Sequence, residues 1–281
     1  MVLNHARGSF KFGDRPALMG ILNVTPDSFS DGGMYQKPDL ALARAIEMIG
    51  KGADIIDIGG ESTRPGAIPV SKDEECDRVL PVIEILHKER PDILISIDTT
   101  KATVAQKSIQ SGASIINDVS GGIWDSEMIH VVRSKKAGYI CMHALDRPQK
   151  MQEDPQYEHA ASDIGAFLKK RKGDLMESGI SEDAMCFDVG IGFGKTLKHN
   201  LQLIKAGADN YFDFLARPLL WGLSRKSFID KLLGRNVDKR IAGSLSAYAY
   251  LLKASHPQIW RIHDLQEIAD FLKMRDALES A

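Results

Sequence analysis

Residues able to do chemistry sit at particular places in this chain. Asp98, Asn117, Asp118 and Asp188 each close a short apolar run, and Lys226 follows another. Arg261 and His263 stand two apart in the last such run, so they share one face of a strand. An ionised carboxylate in apolar surroundings is costly unless it is paired or meets a ligand. A single Asp of this kind reads equally well as a buried ion pair or a cap. Several of them ending successive strands point to a ligand. Asn117 and Asp118 face opposite sides, so at most one of them enters a shared site. Carboxylates accept paired N–H donors, and an amide offers both a donor and an acceptor. That set fits a flat heterocycle with an amino-imino edge, a pterin or guanine-like ring, with Lys226 meeting a ring carbonyl. A second requirement is anionic. Arg64, Arg261 and His263, with Asn23, form a cationic and polar group, and a bidentate Arg suits phosphate oxygens.

The elements that must position these residues repeat one design: an apolar strand, a polar Gly-rich tip, then an amphipathic helix. Strands are predicted over 18–24, 54–60, 93–99, 114–119, 138–143, 185–190, 218–223 and 258–263. They are short and almost wholly apolar, as strands covered on both faces are. The first runs into Thr25-Pro-Asp-Ser-Phe-Ser-Asp-Gly-Gly33, a loop free to turn. Ser71-Lys-Asp-Glu74 has a capping-box pattern, and Asp264 and Glu267 are expected to cap the last helix. Eight strand–helix repeats without a linker predict one (β/α)8 barrel over residues 1–281. Residues 1–15 form an N-terminal extension in which 8–13 alternate weakly, as a short hairpin would. A doubly wound open sheet is the alternative. The barrel is preferred because the polar residues follow the strands and so gather on one face, where such barrels carry their sites. Strands one, two and eight are neighbours in a closed barrel, which brings Asn23, Arg64, Arg261 and His263 together near the expected phosphate region.

The formal charge of −2 suggests neither nucleic acid nor membrane as a partner. No apolar run approaches the ~20 residues of a membrane span, and residues 1–14 carry no signal core, so a cytoplasmic setting is expected. Cys76, Cys141 and Cys186 lie far apart, and Cys141 and Cys186, set in apolar runs, read as core thiols. Gly190-Ile-Gly-Phe-Gly-Lys-Thr196 is neither a P-loop, whose first glycine would fall at Val189, nor a dinucleotide loop, whose third glycine would fall at Lys195. No Ser-His-Asp or Cys-His arrangement indicates a covalent intermediate.

Several segments together resemble the signatures of the dihydropteroate synthases. They are Asn23-Val-Thr-Pro-Asp-Ser-Phe-Ser-Asp-Gly-Gly33, Gly59-Gly-Glu-Ser-Thr-Arg-Pro-Gly66, Ser96-Ile-Asp-Thr99, Ile116-Asn-Asp118, Gly190-Ile-Gly-Phe-Gly-Lys195, Ser224-Arg-Lys-Ser227 and Arg261-Ile-His-Asp264. The resemblance implies a (β/α)8 barrel, usually a homodimer. It implies joining 6-hydroxymethyl-7,8-dihydropterin diphosphate to p-aminobenzoate in folate biosynthesis, with Mg2+ as cofactor and diphosphate as leaving group. On these motifs, Asp98, Asn117, Asp188 and Lys226 would hold the pterin, with Met142 against its face. Asn23 would bind Mg2+. Arg64, Arg261 and His263 would hold the diphosphate. Phe29, Thr63, Pro65, Phe193 and Ser227 would shape the p-aminobenzoate pocket, a target for sulfonamides. Asp31, with Asp98 and Lys226, would act in catalysis, on a first loop that closes as a lid. The chain departs from the family at Val189, where Pro is usual and would restrain φ, and at Asp146 and Lys150, where Gly and Thr are common. A methyltetrahydrofolate-dependent methyltransferase shares this kind of barrel but would need neither the first loop nor the 224–227 segment. A non-catalytic pterin-binding protein would have lost the anion group or the first loop, and both are present.

Overall fold

The computed structural model of the protein describes residues 1–25, 37–63 and 66–281. Its centre is a closed barrel of eight parallel strands in chain order: β3 (Ala17–Asn23), β4 (Ile55–Gly59), β5 (Leu94–Asp98), β6 (Ile115–Asp118), β7 (Gly138–Met142), β8 (Met185–Asp188), β9 (Leu219–Trp221) and β10 (Gln258–Ile262). β10 closes onto β3, with Arg261 opposite Met19. The open-sheet alternative is thereby excluded. Around the barrel lie α1 (Lys37–Gly50), α2 (Lys72–Glu89), α3 (Ala102–Gln110), α4 (Met128–Lys135), α5 (Ala160–Glu177), α6 (Leu197–Ala208), α7 (Ser227–Leu233), α8 (Ile241–Leu251) and α9 (Leu265–Glu279). Among the described residues no helix is long and apolar enough to cross a membrane.

Two apolar layers hold the barrel. Outside it, helix residues such as Val79, Val82 and Ile83 of α2 and Leu203 of α6 pack on outward strand residues such as Ile56, Ile97 and Trp221. Each fully buried aliphatic side chain contributes roughly 1.5–3 kcal/mol. Inside, Met19, Ile55, Ile115, Ile140, Cys186, Leu220 and Ile259 form a layer with Leu3 and Phe12. Leu3 belongs to a hairpin of β1 (Val2–His5) and β2 (Gly8–Lys11), which closes the barrel floor. The alternation over 8–13 therefore marks only the second strand of the hairpin; its partner is 2–5. Arg7, at the turn, ties the hairpin to the strand starts, donating from Nε to Ser114 Oγ at 2.6 Å and from Nη2 to the Ile93 carbonyl at 2.7 Å.

The capping predictions hold in part. Ser71 accepts from the Glu74 N–H at 3.1 Å, but the Glu74 carboxylate turns to Arg78 instead of completing the box. Asp264 makes no side-chain cap for α9, because Arg225 holds its carboxylate.

Candidate active site

Strand register places the polar residues of the barrel mouth in one row. Asn23 lies opposite Gly59, Gly59 opposite Asp98, and Asp98 opposite Asn117. Gly59 leaves a gap in that row. A Cβ there would meet Asp98 Cβ at 3.6 Å and both Asn23 Oδ1 and Asp98 Oδ2 at 3.7 Å, so the two side chains face each other across the missing group.

One layer below, on the same face of β4 as Gly59, stands Asp57, fully buried. Its Oδ2 accepts from Arg261 Nε at 2.6 Å and from Asn117 Nδ2 at 3.1 Å, while Arg261 Nη2 donates to Asp98 Oδ2 at 2.7 Å. Burial works against the Arg261 charge, but Asp57 and Asp98 outweigh it and raise the guanidinium further above its ordinary range. Burial likewise pushes the Asp98 carboxyl up to about 7, with Arg261 opposing. Asp57 Oδ1 is buried with no hydrogen-bond partner among the described residues. The sequence reading passed over Asp57. The signal was a carboxylate in the middle of Ile55-Ile-Asp-Ile-Gly59, the position where an unpaired charge costs most. The expected cationic group is also altered: Arg261 commits two of its nitrogens to carboxylates, because a guanidinium this deep requires countercharge.

Across the mouth, Met142 lies opposite Asp188 in register. Asp188 Oδ1 accepts from the Gly190 N–H at 2.7 Å. Burial raises this carboxyl, and Lys226 opposes it. Lys226 donates to the Ile191 carbonyl and lies 4.5 Å from the centre of the Phe193 ring. Burial pushes its ammonium down to about 8 against the pull of Asp188. Gly190 has φ +70°, and a Cβ there would lie 1.9 Å from the His143 carbonyl oxygen, so this turn admits only glycine.

Two supports escaped the sequence reading. Lys195 is 2 % exposed and donates to the Phe193 carbonyl at 2.8 Å and the His143 carbonyl at 3.3 Å, tying the β8–α6 loop to the end of β7. Ser224 Oγ accepts from the His263 N–H at 3.1 Å and sits 3.0 Å from His263 Nδ1, which fixes the ring.

Thus Asn23, Asp98, Asn117 and Arg261 come together on one side, and Met142, Asp188, Phe193 and Lys226 on the other. Asp98 and Lys226 lie close enough for each site half to feel the other's charge. Asp118 turns away from the mouth, as the alternation requires, and accepts from the Ser120 and Gly122 N–H groups and Tyr139 OH. Thr63 is half-buried in the β4–α2 loop, and Ser227 is exposed as the first residue of α7. Phe29, Asp31, Arg64 and Pro65 lie outside the described residues, and with them the expected lid.

Known proteins resemble this chain in sequence and fold. The family described as pterin binding enzyme matches residues 19–263. Dihydropteroate synthase of Haemophilus influenzae is 41% identical over 266 residues, covering 95% of each chain. Yersinia pestis dihydropteroate synthase, solved with a sulfonamide drug, superposes with a TM-score of 0.89 at 38% identity over 100% of both chains. The Xanthomonas albilineans enzyme, solved with 4-aminobenzoic acid, gives 0.87 at 36% identity over 95% of this chain and 94% of that one. On its sequence and its barrel, the chain belongs to the dihydropteroate synthase family.

Proposed function

We propose that the protein condenses 6-hydroxymethyl-7,8-dihydropterin diphosphate with p-aminobenzoate, giving 7,8-dihydropteroate and diphosphate. The observation that carries this reading is the pairing, at one barrel mouth, of a carboxylate–amide–lysine set with the half-buried Arg261. In this reading Asp98 and Asp188 accept the N–H donors of the pterin edge, Asn117 supplies a donor and an acceptor, and Lys226 meets the ring carbonyl, with Met142 against the face. Asn117 is held for this by Asp57. Arg261 and His263, with Arg64, take the diphosphate oxygens.

The bond from the exocyclic carbon to oxygen breaks first, and its electron pair leaves with the diphosphate. The positive charge left on carbon is delocalised into the pterin and stabilised by Asp98 and, from the first loop, Asp31. Fixed charges aimed at a developing charge are the strongest kind of catalytic contribution. The arylamine is neutral at pH 7, so it attacks without a strong base, and its proton passes to solvent. Holding it against the carbon, in a pocket that includes Thr63, Phe193 and Ser227 with Phe29 and Pro65, contributes up to roughly 7–11 kcal/mol.

The donor set suits Mg2+. Among the described residues no three His, Cys, Asp or Glu side chains gather to hold a metal. Mg2+ keeps several waters and takes few protein oxygens when substrate phosphates supply the rest. Asn23 Oδ1, at the strand end, is an oxygen of that kind. When bound, the ion would neutralise charge on the departing diphosphate.

The test is diphosphate release by the purified chain from the pterin diphosphate, with and without p-aminobenzoate. Turnover that requires both substrates and is inhibited by sulfonamides competitively with p-aminobenzoate is the expected result. No turnover by folded protein overturns the reading. A homodimer is proposed with it, supported by the exposed Leu201, Leu232, Leu233 and Tyr250 on α6, α7 and α8; the molar mass of one chain in light scattering would contradict that part.

A pH dependence follows from the mouth. The binding form has Asp98 ionised and Lys226 protonated. Asp98 loses its proton as pH rises through about 7, and Lys226 loses its own through about 8. The kcat/KM for the pterin substrate is therefore expected to trace a narrow bell between those values. A flat profile from pH 6 to about 9 would contradict these assignments.

A further inference from the structure

Lys101 lies three residues beyond Asp98, immediately before α3. Its ammonium donates to Glu61 and, at 2.5 Å, to Glu75 Oε2. Glu75 is a fully buried residue of α2. Glu61 lies two residues beyond Gly59, the end of β4, and so stands at the root of the loop that carries Thr63, Arg64 and Pro65. The same Glu61 Oε2 accepts from the Val70 N–H at 3.4 Å, near the loop's far end. Glu61 thereby clasps both ends of the loop, and Lys101 fixes the clasp to α2. Two further contacts seat the root. Arg78 Nη1 donates to the Gly60 carbonyl at 2.7 Å, and a Cβ on Gly60 would meet Glu75 Cγ at 3.0 Å. Burial pushes the Glu75 carboxyl up, with the Lys101 hydrogen bond opposing. A buried carboxylate of this kind is kept ionised by a partner, and removing that partner leaves a costly charge.

Lys101 thus links three parts: the strand end bearing Asp98, the α2 helix, and the loop assigned above to p-aminobenzoate and diphosphate. We propose that Lys101 is a positioning residue for the second substrate: by joining Glu75 to Glu61 it sets the β4–α2 loop against the strand end that carries Asp98. The proposal rests on the reading that this loop lines the p-aminobenzoate pocket.

The test compares the full chain with Lys101→Met, Lys101→Arg and Glu61→Gln. Steady-state kinetics gives kcat and the KM for each substrate. Calorimetry gives the affinity for 6-hydroxymethylpterin, which lacks the diphosphate and probes only the ring site. Lys101→Met is expected to raise the KM for p-aminobenzoate about 10- to 100-fold, the scale on which a small misplacement acts. Its pterin affinity should stay within about twofold of the parent, because Glu75 acts on Asp98 only through its charge and, among the described residues, no hydrogen bond joins Lys101, Glu61 or Glu75 to the residues assigned to the ring. Lys101→Arg, whose fork can reach both carboxylates, should regain most of the loss. A folded Lys101→Met with an unchanged KM for p-aminobenzoate overturns the proposal, and so does one whose pterin affinity falls in step. Should Lys101→Met fail to fold, Glu61→Gln keeps the Lys101–Glu75 pair and carries the same expectation. Amide hydrogen exchange needs no turnover. It should quicken over residues 61–70 in Lys101→Met and stay slow in β5. Unchanged exchange in the loop overturns the proposal, whereas an inactive parent enzyme would overturn only the assigned reaction.

Discussion

Replacing Asp188 with alanine is expected to lower the affinity for the pterin ring by about two to three orders of magnitude, with the fold intact. Charge-assisted hydrogen bonds contribute roughly 1.5–3 kcal/mol each, and every 1.4 kcal/mol is about tenfold in affinity. Asp188 Oδ1 also holds the Gly190 N–H, so the truncation frees the start of the loop that carries Phe193. The fold survives because this charge is costly in place. Burial raises the Asp188 carboxyl above 3.8, so the native state keeps a proton that the unfolded chain has lost. Stability from that proton is present in full below the unfolded value and is lost as pH rises through the native one. At neutral pH, removing the carboxylate therefore relieves a cost. Calorimetry with a pterin and a thermal melt check both halves. Asp188→Asn sharpens the test, since it can still accept from Gly190 but turns an N–H toward the ring's own donors. Unchanged pterin affinity in Asp188→Ala would remove the ring-edge assignment.

The second large effect falls on Arg261, for activity and stability together. Arg261→Met leaves Asp57 and Asp98 facing one another without their cation, both buried. Breaking a buried pair by removing one partner costs about 3–5 kcal/mol. In the proposed reaction the kcat/KM should fall by about 10³-fold, because the diphosphate would lose a fixed positive charge. Arg261→Lys rescues little, since one ammonium cannot meet Asp57 and Asp98 as Nε and Nη2 do. The double variant Asp57→Asn/Arg261→Met separates the two roles: part of the stability returns and the activity does not. Stability within about 1 kcal/mol of the parent in Arg261→Met would show that the carboxylates do not depend on the guanidinium.

The barrel could be read from the sequence because each strand is covered on both faces and so reads as a short apolar run. Two strand ends were read too long where a backbone N–H leaves the ladder for a side chain. β8 stops at Asp188, not at 190, because the Gly190 N–H bonds the Asp188 side chain in a left-handed turn. β9 stops at Trp221, not at 223, because the Leu223 N–H bonds Tyr248 OH. In the structure Asn117 turns inward and Asp118 outward; that the two face opposite sides followed from alternation. Their pairings did not. Asp57 finds Arg261 across 204 positions of sequence, and no local pattern announces such a partner. Lys195, read as the end of a glycine-rich tip, proved a buried strap because its acceptors lie on two different loops.

The hairpin that packs Leu3 and Phe12 into the barrel floor makes the interior a blind well. Below Asp57 lies hydrocarbon, and above it the mouth. The field of the Asp57–Arg261–Asp98 triad is therefore screened on one side only and is directed along the barrel axis toward whatever sits at the rim. A substrate that covers the rim expels water along the path by which it came, so binding and dehydration are one event. The floor lies a layer below the mouth, yet it sets the polarity of the medium around the triad.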